Sequence, residues 1–164
     1  MNIIGIDPGL NNTGVGVLKV ENKALTCLYF EVIKTNPKES LPLRLKQICT
    51  QLTDIIDKFS PEYAAVEDVF YSVNIKSALL LGHTRGAIMA TLLSKGVKVH
   101  EFTALQIKKS VVGYGKADKE QVRKMVELHL NLKFDKEKYD ISDALGCALC
   151  LGLNITGGYF GLQN

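Results

Sequence analysis

Hydrophobic positions repeat with two different periods along this chain, and each period predicts one kind of element. Short apolar runs rich in β-branched and aromatic residues predict strands, whereas apolar residues three or four positions apart predict helices. The predicted strands are residues 2–7, 13–20, 24–35, 63–68 and 97–102. The predicted helices are residues 41–59, 74–94, 103–111, 118–130 and 140–153.

The order of these elements predicts the fold class. Three consecutive strands with short connections form an antiparallel meander, and the later strands alternate with helices, as parallel strands do. We therefore expect an α/β protein with a five-stranded mixed sheet flanked by helices. No repeat or linker divides the chain, so we expect one domain over residues 1–156 and a short, flexible tail over residues 157–164.

Positive charge is concentrated in one segment. The 164-residue chain has a net charge of only +3, but residues 95–124 contain eight Lys or Arg and three Asp or Glu. Such a segment is either a surface for phosphates or an ordinary solvated helical face, and charge alone leaves both open. The sequence has no apolar run near the roughly 20 residues of a membrane span and no signal-peptide pattern at its start, so we expect a cytoplasmic protein.

Two of the four cysteines, Cys147 and Cys150, form a C-x-x-C pattern, which occurs in redox and zinc sites. Both fall within an apolar predicted helix, where residues three apart are poorly placed for a disulfide. The sequence offers no second C-x-x-C or His pair to complete a zinc site. We expect these cysteines to be buried free thiols.

Four acidic residues stand out by position. Asp7 ends the first predicted strand, and Glu67 lies at the end of the fourth, inside an otherwise apolar run. Asp140 and Asp143 lie three apart at the start of the last helix, so they project from nearly the same face. Converging carboxylates suit phosphodiester hydrolysis, in which two divalent ions about 3.5–4 Å apart activate a water and stabilise the developing oxyanion.

Each acid also has an ordinary structural explanation. Asp7 precedes Pro-Gly and could be a turn former, Asp140 could be an N-cap, and Asp143 could be an acid that favours the helix N-terminus. Glu67 is the hardest to explain structurally, because an acid in an apolar run rarely lacks a partner. Taken together, the four positions favour a functional site.

Several long motifs in a fixed order make the chain resemble the RuvC family of bacterial Holliday junction resolvases, over almost its whole length. Some of these motifs carry the acids, and others carry glycines or lysines. They are GIDPG at 5–9 with Thr13-Gly14, Leu43 with Ile48, AVEDVF at 65–70, Asn74, SALLLGHTRG at 77–86, KKSVVGYGKADKEQV at 108–122 and DISDAL at 140–145.

The resemblance implies an RNase H-like fold and symmetric nicking of two strands of a four-way DNA junction, in recombination and repair. It implies Mg²⁺ dependence, with two ions per subunit and Mn²⁺ as a substitute, and a homodimer that works with the RuvA and RuvB branch-migration complex. It places the catalytic, metal-binding carboxylates at Asp7, Glu67, Asp140 and Asp143.

Basic and aromatic neighbours extend this interpretation to DNA contacts. By resemblance, Lys108 and Lys119 are functional lysines, and they flank a glycine loop that suits a phosphate backbone. Phe70 follows Glu67 closely and is a candidate for stacking on an unpaired base, although it could instead cap the core. The helix predicted over residues 74–94 carries more apolar residues than one sheet face covers, so it is the candidate dimer surface.

Three other functions compete with this one. An actin-like phosphotransferase also begins with a GIDxG-type turn, but it needs two lobes and a second phosphate loop. A catalytically silent DNA-binding module of the same fold would gain nothing from four acids near phosphate. A related nuclease of uncertain substrate remains, and the basic loop and the aromatic after Glu67 favour the resolvase over it.

Overall fold

The strands and helices of this protein lie close to their predicted positions. The computed structural model describes residues 1–68, 74–133 and 139–157. The strands are β1 (Asn2–Asp7), β2 (Asn12–Glu21), β3 (Ala24–Lys34), β4 (Tyr63–Asp68) and β5 (Lys98–Thr103). The helices are α1 (Leu41–Phe59), α2 (Ile75–Ser94), α3 (Ala104–Val112), α4 (Lys119–Leu130) and α5 (Tyr139–Thr156). The largest difference from prediction is at the end of α5, which continues to Thr156 rather than stopping at residue 153.

The five strands form one mixed sheet in the order β3-β2-β1-β4-β5. β2 pairs antiparallel with both β1 and β3, which confirms the predicted meander. β4 pairs parallel with β1 on one side and with β5 on the other. This arrangement confirms the expected α/β class and places the C-terminal ends of β1 and β4 side by side at one edge of the sheet.

Each face of the sheet has its own hydrophobic core. α3, α4 and α5 cover one face, which we call the α5 face, with a core that includes Ile3, Leu18, Ala65 and Leu145. α1 and α2 cover the other, the α1/α2 face, with a core of alternate residues from the same strands and of apolar residues on both helices. Side chains along a strand alternate between faces, so every second residue of β1 and β4 points to α5.

Helix α5 approaches the sheet unusually closely because glycines line its path. A Cβ atom at Gly5 of β1 would lie 2.1 Å from the carbonyl oxygen of Ala144. A Cβ at Gly14 of β2 would lie 2.0 Å from the carbonyl oxygen of Asp140. Only glycine permits such contact between two backbones. The start of α5 is therefore held directly against the end of β1 and the start of β2.

Two helix starts follow the sequence rules closely. Thr103 and Gln106 form a capping box at the start of α3, and Asp118 and Gln121 form another at the start of α4. In each, the side chain at the N-cap accepts from a backbone N–H of the first turn, and the glutamine accepts from the N-cap backbone N–H. The second box fixes the backbone at the start of α4, where Lys119 is the first residue.

Two remaining expectations concern the membrane and the cysteines. Among the described residues, none of the helices combines the length and apolar character required to cross a membrane. All four cysteines are free, and Cys147 and Cys150 are buried in α5, as expected.

Candidate active site

Two of the predicted acids come from neighbouring strand ends. Ile6 of β1 pairs with Val66 of β4, which places Asp7 and Glu67 at the next position of each strand. Ile6 and Val66 belong to the core on the α1/α2 face, so the alternation of side chains directs both acids to the α5 face. The fold thus brings together two carboxylates that are 60 residues apart in the chain.

The other two acids come from the first turns of α5. The helix begins at Tyr139, so Asp140 lies inside its first turn, and the alternative that Asp140 is the N-cap is wrong. The close contact between Gly14 and the Asp140 backbone places this turn at the start of β2, where Gly14 pairs with Asp7. Asp140 and Asp143 therefore reach the same edge of the sheet as Asp7 and Glu67.

All four carboxylates line one pocket with a volume of about 340 Å³, which we call the acidic pocket. Lys108 of α3 and Lys119 of α4 line it too, so the predicted lysines join the predicted acids. The other lining residues are mainly apolar. They are Pro8, Leu81, Ala104, Ile107 and Val122.

Raised pKa values show that burial and mutual repulsion disfavour the charged forms of carboxylates in this pocket. Burial first, and then the charges of Glu67, Asp143 and Asp140, together raise the pKa of Asp7 to about 8. Burial and the neighbouring Asp143 also raise the pKa of Glu67, while burial raises that of Asp143. Such shifts arise when like charges are confined in a low-dielectric site without a sufficient counter-charge.

Lys119 supplies part of the missing positive charge. Its Nζ lies 3.5 Å from Asp143 Oδ2, and Asp143 in turn raises the pKa of the lysine. The charge of Lys119 lowers the pKa values of Asp7 and Glu67 as well. The lysine side chain is 69% exposed, so it can also reach a ligand at the mouth of the pocket.

The four acids fit a divalent cation by donor chemistry, because Mg²⁺ prefers carboxylate oxygens and their repulsion is relieved by positive charge. In the arrangement seen within the described ranges, however, no group of three or more His, Cys, Asp or Glu side chains could hold a metal ion. Repulsion between the acids and the contact of Lys119 with Asp143 both favour such a spread arrangement. Side-chain rotation would therefore be needed before three or more of the acids could share one ion.

The turn that follows Asp7 is fixed from the other face of the sheet. Arg44 of α1 is buried, and its Nε donates to Thr35 Oγ1 at 2.8 Å while an NH2 group donates to Asn11. Thr35 Oγ1 donates to the carbonyl oxygen of Leu10 at 2.6 Å. Sequence reasoning missed this network, because its members are far apart in the chain.

Two further outcomes concern the sequence predictions. Phe70 lies outside the described residues, so its predicted DNA contact stays a prediction. The glycines at positions 5, 14 and 16 were missed as site-building residues, although their signal was present. Gly14 and Gly16 recur at every second position of a strand, which marks a face where another backbone approaches.

Similarity to known proteins agrees with this geometry. The family model described as "Crossover junction endodeoxyribonuclease RuvC" matches residues 3–151. A protein of that name from Ralstonia pickettii is 46% identical over 150 residues, which cover 92% of this chain and 82% of the relative. One from Dechloromonas aromatica is 45% identical over 164 residues, covering 96% of this chain and 91% of the relative.

Solved structures agree as well. Thermus thermophilus RuvC superimposes with a TM-score of 0.87 at 34% identity, covering 96% of this chain and 97% of that one. The same bacterium's RuvC in complex with a Holliday junction substrate gives a TM-score of 0.89 at 33% identity, with 96% of both chains covered. The yeast mitochondrial resolvase Ydc2 shares the fold, with a TM-score of 0.69 at 13% identity. This chain belongs to the RuvC family of crossover junction endodeoxyribonucleases.

Proposed function

We propose that this protein is a structure-selective endonuclease that resolves four-way DNA junctions by paired symmetric nicks, in recombination and repair. The observation that carries the proposal is the acidic pocket, where three elements bring four carboxylates together beside two lysines. The relatives are crossover junction endodeoxyribonucleases, and one related structure contains a Holliday junction substrate.

The reaction is metal-dependent hydrolysis of phosphodiester bonds, for which we propose Mg²⁺, two ions per subunit and Mn²⁺ as a substitute. Bound divalent ions supply water activation and stabilisation of the developing oxyanion. Asp7, Glu67, Asp140 and Asp143 are the proposed catalytic ligands. The raised pKa values of Asp7, Glu67 and Asp143 support this role, because a nearby cation removes the repulsion that burial intensifies.

The two lysines bind and orient the DNA. Lys108 and Lys119 line the same pocket as the acids, where their positive charges would attract a phosphate group of the backbone. Phe70, close to Glu67 in the chain, is proposed to stack on an unpaired base at the junction. Junction bases are easier to unstack than bases of a regular duplex, so this contact favours branched DNA.

A homodimer matches the two-fold symmetry of the substrate, and α2 is its proposed interface. Ile75, Leu79 and Leu93 are 78%, 60% and 58% exposed on this helix. A Cβ atom at Gly82 or Gly86 would meet no other atom within 4 Å, so this surface has room for another helix. Such an interface buries about 1,200–2,000 Å² in total and is self-complementary.

The remaining assignments follow from family and substrate. We propose residues 1–156 as one nuclease domain, because both hydrophobic cores share the same sheet. The proposed tail, residues 157–164, lies outside the described residues from position 158 onward. A cytoplasmic location follows from a bacterial DNA substrate, and cooperation with RuvA and RuvB follows from the family.

The activity is tested by incubating the protein with Mg²⁺ and end-labelled four-way, Y-shaped and linear DNA of the same sequence, and then mapping the nicks. We expect paired nicks at symmetry-related positions in the four-way junction and little cutting of linear duplex. A chelator control should stop all cutting. Equal cutting of linear and four-way DNA would contradict structure selectivity.

The dimer is tested by sedimentation at micromolar concentration with and without junction DNA. Gly82→Arg places a bulky charge on the proposed interface of α2 without a clash inside the subunit, so it should yield monomers that make unpaired nicks. Lys46→Glu, on the exposed surface of α1, is the control and should remain dimeric. A wild-type protein that stays monomeric yet cuts both strands together would contradict the dimer.

A further inference from the structure

Arg85 joins three elements on the α1/α2 face, behind the acidic pocket. It lies on α2, and one of its terminal nitrogens is 3.3 Å from Asp68 Oδ1 at the end of β4. The other terminal nitrogen donates to Glu101 Oε2 of β5 at 2.5 Å. The arginine side chain is only 19% exposed, so these contacts are partly shielded from solvent.

The position of these contacts along β4 relates them to Glu67. Asp68 follows Glu67 directly, and strand alternation directs Glu67 to the α5 face and Asp68 to the α1/α2 face. On β5, Glu101 pairs with Val66, one residue before Glu67. Arg85 therefore ties the two strands together at the level of Glu67, from the side of the sheet opposite the carboxylate.

The same arginine ties α2 to this level of the sheet. Leu81, which lines the acidic pocket, lies four residues before Arg85, so the two are one turn apart on the same side of α2. The contacts of Arg85 thus link the side of α2 that lines the pocket to the end of β4.

Stability alone explains this cluster poorly. The Nε of Arg85 is buried and has no hydrogen-bond partner among the described residues, which costs stability. A partly buried ion pair can often be replaced by apolar residues without loss. A residue that leaves one donor unsatisfied while holding two strand ends is better explained by what it positions.

We propose that Arg85 is a positioning residue for Glu67, which it holds beside Asp7 by anchoring Asp68 and Glu101 and by fixing α2 against the end of β4. This inference rests on the proposed function, in which Glu67 is a catalytic ligand. Because a displacement of about 1 Å can cost a catalytic group about 100-fold in rate, the anchor matters to cleavage although it touches no substrate.

The test measures kcat and junction Kd separately for Arg85→Met, Arg85→Lys and Asp68→Asn. We expect Arg85→Met to lower kcat by about 10- to 100-fold while junction Kd, measured without divalent ions, stays within about threefold. Arg85→Lys should recover only part of the loss, because an ammonium cannot hold two carboxylates as a guanidinium does. The Mg²⁺ concentration for half-maximal cleavage should rise in Arg85→Met.

The direction of the Asp68→Asn effect separates positioning from simple electrostatics. Arg85→Met removes a positive charge and Asp68→Asn removes a negative one, so a purely electrostatic influence on the pocket would change kcat in opposite directions. Positioning predicts a lower kcat in both. It also predicts that the double variant loses much less than the two single losses combined, because both act through one contact.

Lys95→Met is the matched control. It breaks another ion pair of the α2 region, in which Lys95 Nζ lies 2.7 Å from Asp57, but at the end of the helix away from the pocket. It should keep wild-type kcat, and melting temperatures of all variants show whether any loss reflects unfolding. If Arg85→Met does not fold, Arg85→Lys and Asp68→Asn decide the question.

Wild-type kcat in both Arg85→Lys and Asp68→Asn, or independent losses in the double variant, would overturn the inference. A loss confined to junction Kd would overturn it too, because it would assign Arg85 to DNA binding. Failure of the proposed function has a different signature. In that case Glu67→Gln itself would cut at the wild-type rate, whatever the arginine variants do.

Discussion

The two faces of the sheet differ in whether their buried charged residues have compensating partners. On the α5 face, Asp7, Glu67 and Asp143 have raised pKa values because burial and mutual repulsion oppose their negative charges. On the α1/α2 face, Arg44 is buried but hydrogen-bonded to Thr35 and Asn11, and Arg85 is paired with two acids. At this edge of the sheet, the acids on the α5 face repel one another, whereas the arginines on the α1/α2 face have oppositely charged or hydrogen-bonding partners.

This difference shows how the fold can hold a repulsive cluster. The carboxylates are carried by strand ends and by a helix start, and those strand ends are fixed from behind by arginines on α1 and α2. Contacts that take no part in the chemistry therefore offset the free-energy cost of holding the acids together. Functional sites commonly carry such a cost, which makes them less stable than the rest of the protein.

The largest expected effect comes from removing single charges from the acidic pocket. Asp7→Asn, Glu67→Gln, Asp140→Asn and Asp143→Asn should each reduce cleavage of four-way junctions by about 10³-fold or more, since each removes an ionic ligand. Junction binding should survive, because the fold and the lysines remain. Gel-shift and nicking assays on the same preparations check both. Near-normal nicking by any one variant would remove that residue from the proposed site.

Gly14→Ala should have the next largest effect, because it moves the α5 acids away from the strand acids. The added Cβ would lie 2.0 Å from the backbone carbonyl of Asp140, so the helix start must shift. We expect a loss of cleavage of about 100-fold. Gly146→Ala is the control, since its Cβ would lie at ordinary contact distance, 3.5 Å from Ile107. Equal activity of the two variants would show that the close approach is dispensable.

The strand acids were predictable from sequence because their signals are local. Asp7 and Glu67 each interrupt an apolar run, and the element order makes β1 and β4 neighbours. The capping boxes at Thr103 and Asp118 were confirmed for the same reason, since their partners are three residues away. Patterns within a few residues thus predicted the elements, the sheet and the positions of the two strand acids.

The long-range partners were not predictable. The contacts of Arg44 with Asn11 and of Arg85 with Asp68 join side chains far apart in the chain, and no periodicity encodes which arginine meets which acceptor. The ion pair between Lys119 and Asp143 is of the same kind. Its lysine was singled out by resemblance and by its place at a helix start, whereas its partner became visible only in three dimensions.

Arg44→Met tests the α1/α2 face through its effect on the stability of the protein. The substitution removes the buried hydrogen bonds that Arg44 donates to Thr35 and Asn11. We therefore expect a loss of about 2–4 kcal/mol in the free energy of unfolding. Chemical denaturation measures this. Lys46→Met, at an exposed position of the same helix, is the control and should change little. A stability equal to wild type would show that the network behind Asp7 is not what holds the loop.

Asp7→Asn, on the α5 face, should instead stabilise the metal-free protein. The pKa of Asp7 is raised from 3.8 to about 8, so between these pH values the folded state holds a proton that the unfolded chain releases. The stability of the wild type therefore falls as pH rises through this range. In EDTA, the free energy of unfolding of Asp7→Asn should exceed that of the wild type by about 2–4 kcal/mol at pH 8 and by little at pH 4.

The control for this pH effect is Asp57→Asn, at an acid that is 57% exposed and far from the pocket. Its stability should follow the pH profile of the wild type. If Asp7→Asn also ran parallel to wild type from pH 4 to pH 8, the acidic pocket would not be strained in the metal-free state. The contrast between the two faces would then lose its basis.

The smallest expected effect concerns Lys119, a cation that contacts an acid of the pocket and is also exposed to solvent. Its Nζ neutralises Asp143 at 3.5 Å, yet the side chain is 69% exposed and reaches the pocket mouth. Lys124, on the same helix and 66% exposed, instead contacts Glu120 and does not line the pocket, so the two lysines form a matched pair. Lys119→Met should lower the salt dependence of junction binding by about one phosphate contact and slow cleavage about tenfold. Lys124→Met should leave the cleavage rate unchanged. If both variants changed rate and salt slope equally, Lys119 would belong to a diffuse positive surface rather than to the acidic pocket.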